Sequence, residues 1–156
     1  MRRKDREVTD QQRIREIAEA CHCCRLGFAD GGSVYIVPLN YGYTEENGNY
    51  TFYFHSAKKG RKIDLIAKNP MVGFELDTNY AIKEHETACE YSARFQSIIG
   101  EGKVSFVEDE AEKVKALQAI MKHNTGKDDW EFHEKMLQAV RVIRMDVTKI
   151  SCKESR

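Results

Sequence analysis

The 156-residue sequence has no surplus charge: Lys plus Arg number 25, Asp plus Glu number 25, and the formal net charge is zero. That balance gives no support to a nucleic-acid partner, which calls for a strongly basic face. No apolar run approaches the roughly 20 residues that cross a bilayer, and the opening MRRKDREVTD lacks the apolar centre of a signal peptide. The chain therefore reads as a cytoplasmic protein with no membrane partner. Cysteine is present but poorly arranged for cross-linking. Of the five, Cys21, Cys23 and Cys24 gather around His22, while Cys89 and Cys152 stand far off. An odd count without a leader argues against a disulfide framework, and CHCC lacks the second matching pair of a zinc site. Reduced, partly buried thiols and no metal are the expectation. What remains is ordinary: 41% hydrophobic and 10% aromatic residues, in a length that fits one domain with a real core.

The stretch from Tyr50 to Pro70, YTFYFHSAKKGRKIDLIAKNP, organises the rest. Tyr50 to Phe54 is aromatic and β-branched, the composition of a strand. Ile63, Leu65, Ile66 and Ala67 then fall on one side of a short helix that ends at Asn69, before Pro70. Between the two lie Lys58, Lys59, Arg61 and Lys62, at the start of that helix. A helix N-terminus is already partly positive, so each cation there costs about 0.3–1 kcal/mol. The cluster makes sense around an anion, because free backbone N–H groups, the dipole and the basic side chains all favour a phosphate. A solvated lysine-rich turn is the competing reading, and charge alone does not choose between them.

Along the rest of the chain, Thr9-Asp10-Gln11-Gln12 has the form of a capping box with Thr9 as cap. It opens a helix over about 10–20, with Ile14, Ile17, Ala18 and Cys21 inward and Arg13, Arg15, Glu16 and Glu19 as a solvated face. Cys24 to Ala29, Ser33 to Tyr43 and Tyr50 to His55 read as three strands in series, a meander turning at Asp30-Gly31-Gly32 and at Asn47-Gly48. Pro38 has no N–H for a ladder, so a bulge or free edge is expected there. Met71 to Asp77 alternates as a further strand, Thr78 to Ala88 reads as a polar loop, and Cys89 to Val107 as a long β run bent at Gly100 and Gly102. Those glycines are not a dinucleotide fingerprint, since no βαβ unit follows. A helix over 108–122 carries the stripe Ala111, Val114, Leu117, Ile120 and Met121 and ends at Gly126. A short helix over 128–138 contains Trp130, and a final strand runs over 139–151. Together these predict a single mainly β domain, a six-stranded antiparallel barrel with helices packed outside.

The strand Tyr35 to Tyr41, the run Phe52 to Lys62 (FYFHSAKKGRK) and the segment Phe95 to Gly102 (FQSIIGEG) resemble the FMN-binding split-barrel proteins of the pyridoxamine 5′-phosphate oxidase-like superfamily. Within it the chain is most similar to the 5-nitroimidazole-resistance flavoproteins, which share an opening like Met1-Arg2-Arg3-Lys4. The resemblance implies a homodimer with flavin in clefts between subunits. It places FMN, or FAD, at Val37, Pro38, Leu39 and Asn40 along the ring edge, His55 and Ser56 beside the flavin, and Arg61 and Lys62 on the phosphate. Ser97, with Gln96, would lie near the phosphate or ribityl chain. The extended C-terminal signature of the vitamin-forming oxidases is absent, which argues against pyridoxine phosphate as substrate.

His55 is the catalytic candidate, because imidazole can donate a proton near neutral pH; a histidine that only hydrogen-bonds the flavin is the equal alternative. Trp130 is read as core, with a covering role over the flavin as the alternative. The implied activity is an FMN-dependent oxidoreductase that takes electrons from NAD(P)H and passes them to a small-molecule substrate, an electrophile such as a nitro-aromatic. The runner-up is a flavin- or tetrapyrrole-binding module without turnover, since one fold serves both.

Overall fold

The structure, a computed structural model, describes residues 3–156. Met1 and Arg2, part of the opening that carried the resemblance, lie outside the described residues. Asp10, not Thr9, caps the first helix: its carboxylate accepts from the Gln12 N–H at 3.0 Å, and α1 runs Gln11–Ala20. The cap shifts by one residue because aspartate serves as well as threonine in this position. Ile14, Ile17 and Ala18 are buried, as their spacing predicts.

Eight strands make one sheet among the described residues, against the six expected. They are β1 (Glu7–Val8), β2 (Cys24–Asp30), β3 (Ser33–Leu39), β4 (Gly42–Glu46), β5 (Asn49–Ser56), β6 (Met71–Lys83), β7 (Ser92–Phe106) and β8 (Arg141–Ser155). Their order is β3-β2-β6-β7-β8-β5-β4, every pairing antiparallel, with β1 on β8. The predicted meander is therefore corrected to two hairpins at opposite edges, β2–β3 and β4–β5. The chain leaves one edge for the other at Asn40-Tyr41. It is fastened there by the Tyr41 hydroxyl, 2.6 Å from the Ala18 carbonyl and 3.0 Å from that of Cys21.

Residues from both halves of this order, Leu26 and Phe28 on β2 and Phe52 and Phe54 on β5, share one core with Phe74, Leu76, Ile98, Ile143 and Met145. The sheet thus curls around a single apolar interior, while β3 and β4 stay unpaired with each other. It is a barrel split along one seam. Pro38 lies on the edge strand β3, where a missing N–H costs least.

Three further expectations change. Thr78 to Lys83 is strand and not loop: β6 continues past an irregularity at Thr78/Ala81, where Asn79 adopts φ 55°. The extension pairs with β7 as a solvent-exposed arm, so it shows none of the apolar alternation by which strands are recognised. The second C-terminal helix is only α4 (Glu134–Ala139). Residues 128–133 are held irregular by Lys122 on Asp128 at 2.9 Å and by the Gln118 amide on the Trp130 carbonyl at 2.5 Å. Trp130 is 40% exposed and so is not core. Helix α3 (Glu110–Thr125) is capped by Asp109 and closed by Gly126 in the left-handed region, φ 75°. It packs Ala116 and Ile120 inward, while Ala111 of the predicted stripe is exposed. No helix among the described residues is long and apolar enough to cross a membrane.

Candidate functional site

Strand β5 delivers the chain to the site. It ends with His55 exposed and Ser56 buried, as strand alternation requires. The Ser56 hydroxyl, fully enclosed, has no hydrogen-bond partner. Residues 57–60 then turn to Gly60, whose φ of 134° only glycine adopts at low cost. Gly60 is the N-cap of α2 (Arg61–Lys68) and brings no side chain to the orphan N–H groups. A Cβ built at Gly60 would meet nothing within 4 Å beyond its chain neighbours. The helix is anchored from behind by Leu65 and Ile66, both buried, with Ile63 packed against the core; Ala67, expected on the same side, is exposed.

The four cations do not behave alike. Arg61 is held within its own chain: Nε and Nη2 donate to Asp30 Oδ2 at 3.1 and 2.7 Å, and the guanidinium lies 4.5 Å from the Tyr35 ring centroid. Lys58, Lys59 and Lys62 have no carboxylate partner among the described residues. Asp30 and Tyr35 were missed from the sequence as site residues. Asp30 read only as a turn, and no local pattern links it to Arg61, 31 positions away.

The other candidates lie further off. Val37 and Leu39 turn half-buried toward the core, and Pro38 and Asn40 face out. The Asn40 amide donates to Asn124 Oδ1 at 3.1 Å and more weakly to the His22 carbonyl at 3.4 Å, which ties down the crossover. Tyr35 to Asn40 spans about 17 Å of edge strand at 3.3 Å per residue. Arg61 thus sits at the Asp30 end of the β2–β3 edge, whereas His55 and Ser56 close β5, beside β4 at the opposite edge, and reach Arg61 only through the turn at 57–60.

Gln96 and Ser97 do not join them within one chain. Leu39, Cys24, Leu76 and Ile98 form one row across the sheet, so Ser97 lies three strands from β3. It also lies about 20 Å along the strands from Asp30. Alternation puts Gln96 and Ser97 on opposite faces of β7. Gln96 is buried and fully engaged: it accepts from Asn79 Nδ2 at 2.6 Å and donates to Glu154 Oε1 at 2.8 Å.

The cysteines are quiet. Cys21, Cys24 and Cys152 are buried, Cys23 half-buried and Cys89 exposed. Burial pushes the Cys21 thiol up to about 12 and that of Cys152 to about 11, and raises Cys24 as well, so all three stay protonated.

Comparison with known proteins fits this architecture. No curated protein matches the sequence. A protein from Bacteroides thetaiotaomicron assigned to 5-nitroimidazole antibiotic resistance is 33% identical, covering 94% of this chain and 85% of that one, with TM-score 0.81. The flavocytochrome Anf3 of Azotobacter vinelandii superposes with TM-score 0.81 at 18% identity, covering 100% of this chain and 72% of its own. An FAD- and heme-binding protein of Mycobacterium smegmatis gives 0.83 at 15%, with 97% and 74% covered. At those lower identities the likeness is one of fold. A family model described as pyridoxamine 5′-phosphate oxidase matches residues 10–154, nearly the whole of the split sheet, and the chain belongs to that family.

Proposed function

We propose that this chain is a flavoprotein oxidoreductase that binds FMN, or FAD, beside α2 and reduces a small electrophile such as a nitro-aromatic with electrons from NAD(P)H. The observation that carries the reading is the uncapped start of α2, where orphan backbone donors, an open Gly60 and lysines without carboxylate partners converge. These residues fit a flavin phosphate. Lys62 offers a point charge, the helix end offers N–H groups, and the buried, unpartnered Ser56 hydroxyl offers a further polar contact. Arg61 joins only by exchanging Asp30 for phosphate. Pro38 and its neighbours present the free backbone of β3 to a planar ring. When bound, the flavin supplies the hydride chemistry; the chain's part is to hold it, and His55, exposed near the end of β5, would hold or give a proton.

Support also comes from the relatives, among which a protein named for nitroimidazole resistance, a flavocytochrome and an FAD- and heme-binding protein share the fold. The heme in that last name is the observation behind the second reading, a binding module without turnover. A homodimer completes the proposal. Val34 and Ile36 on β3 are 69% and 62% exposed, an apolar outer face that suits a second copy. Two measurements test the function. The purified protein is yellow and releases FMN on heating, and under anaerobic conditions it oxidises NAD(P)H steadily only when a nitroimidazole is supplied. A bound flavin that never cycles would favour the module; protein that takes up no flavin would end both readings.

A further inference from the structure

Away from α2, two adjoining cavities of about 750 and 540 Å³ open between the N-terminal segment, the first turn of α1, the β6–β7 arm and the end of β8. They share Arg13, Glu154, Ser155 and Arg156, and their size is that of a small-molecule site. The floor is a closed polar network. The Glu154 side chain is only 9% exposed. Its Oε1 accepts from Arg13 Nη2 at 2.5 Å and Gln96 Nε2 at 2.8 Å, and its Oε2 from Arg13 Nε and Arg156 Nε, both at 3.3 Å. Gln96 is fixed in turn by Asn79. With both oxygens taken up, Glu154 acts as an internal counter-charge that sets two guanidiniums in place.

Above that floor the lining is mixed but cationic on balance: Asp5 is taken by Arg3, and Glu7 and Asp10 also line the larger cavity. Arg6, Lys83 and Arg94 line the walls and have no carboxylate partner among the described residues. Arg6 rests 5.8 Å from the Phe95 ring centroid instead. Arg6 and Lys83 line the larger cavity and Arg94 the smaller; their excess over the neighbouring carboxylates lowers the energy of an anion there, and arginine forks match phosphate oxygens in pairs. At the mouth of the smaller cavity Tyr80 is 67% exposed, a flat apolar face on which a planar base can stack.

We propose that this cavity binds a small phosphorylated molecule carrying a planar base, of mononucleotide size, separately from the cleft beside α2. Phosphate sits among Arg6, Lys83 and Arg94, braced by Arg13 and Arg156, and the base lies on Tyr80.

The probe is AMP, titrated calorimetrically into the full-length protein with FMN present at saturation. One AMP per chain binds saturably, while adenosine and inorganic phosphate each bind at least tenfold more weakly. The Lys83→Ala/Arg94→Ala double variant loses at least tenfold in AMP affinity while retaining the parental far-UV spectrum, and Tyr80→Ser weakens AMP without affecting inorganic phosphate. Arg61→Ala/Lys62→Ala leaves AMP affinity unchanged, which separates this site from the flavin's. No saturable binding up to millimolar AMP, or binding lost with Arg61 and Lys62 and indifferent to Lys83 and Arg94, would overturn the proposal. Inorganic phosphate binding as tightly as AMP would overturn the nucleotide class.

Discussion

The Arg61 guanidinium meets one oxygen of Asp30 with two N–H groups, but the two side chains are 56% and 30% exposed. Pairs so open to water contribute about 0–1 kcal/mol, whereas charge-assisted bonds to a fixed anion are worth about 1.5–3 kcal/mol each. In the proposed site a flavin phosphate would therefore win Arg61 from Asp30. Replacing Arg61 and Lys62 together by alanine raises the FMN dissociation constant at least tenfold, read by fluorescence titration; an unchanged constant removes the phosphate assignment. His55→Ala keeps bound flavin and loses nitroreduction in the anaerobic assay, and parental turnover would reduce His55 to a structural contact. Glu154 gives a test in pH. The hydrogen bonds from Arg13 and then Gln96 outweigh its burial and hold the carboxyl down at about 2, against an ordinary value near 4.5. A carboxyl depressed on folding stabilises the protein fully above its unfolded pKa, and that contribution fades as pH falls from about 4.5 toward 2. Glu154→Gln costs about 1.5–3 kcal/mol in urea unfolding at pH 7 and flattens the acid limb of the stability curve.

At the level of elements, the β4–α3 contact leaves room for no side chain. A Cβ on Gly42 would stand 2.2 Å from the Ala119 carbonyl carbon and 2.3 Å from the Ile120 nitrogen. Both are backbone atoms that cannot rotate away. Gly42→Ala must push α3 off the sheet, and overpacking of this kind costs about 1–3 kcal/mol. A lowered midpoint in urea with an unchanged slope is the expected result. The same contact explains why the expected strand Ser33 to Tyr43 divides in two. Gly42 follows directly on the Asn40-Tyr41 crossover, and Asn124 at the end of α3 donates to the Tyr41 carbonyl at 3.0 Å. Nothing in SVYIVPLNYGY marks that division, because a helix some 80 residues later imposes it.

For the molecule as a whole, the outer face of β3 is the surface on which the proposed dimer rests. Ile36 stands opposite Gly27, which stands opposite Gly73, so no neighbouring side chain covers it. Ile36→Lys on a face that meets a second copy converts the proposed dimer to monomer in analytical ultracentrifugation and releases flavin at the same time. A dimer that persists unchanged would place the interface elsewhere. Assembly would also bring a second set of Gln96 and Ser97 to the protein, and their distance from Arg61 within one chain leaves that as the route by which the two groups could meet.

The sequence by itself determined the local features whose causes lie within a few residues. Alternating and aromatic runs became strands, the 3.6-residue stripe became α1 and α3, glycines made the turns, and the cations fell at the start of α2 next to a glycine without a side chain. The FYFHSAKKGRK run also carried the family, since its chemistry is contiguous. Tertiary structure alone decided the order of the strands, the separation of β3 from β4, the salt link of Asp30 to Arg61, the exposure of Trp130 and the joining of Arg13, Gln96 and Glu154. Each of those depends on groups tens of residues apart meeting across the sheet, and such meetings are fixed by which faces bury together, a property that no short stretch of sequence contains.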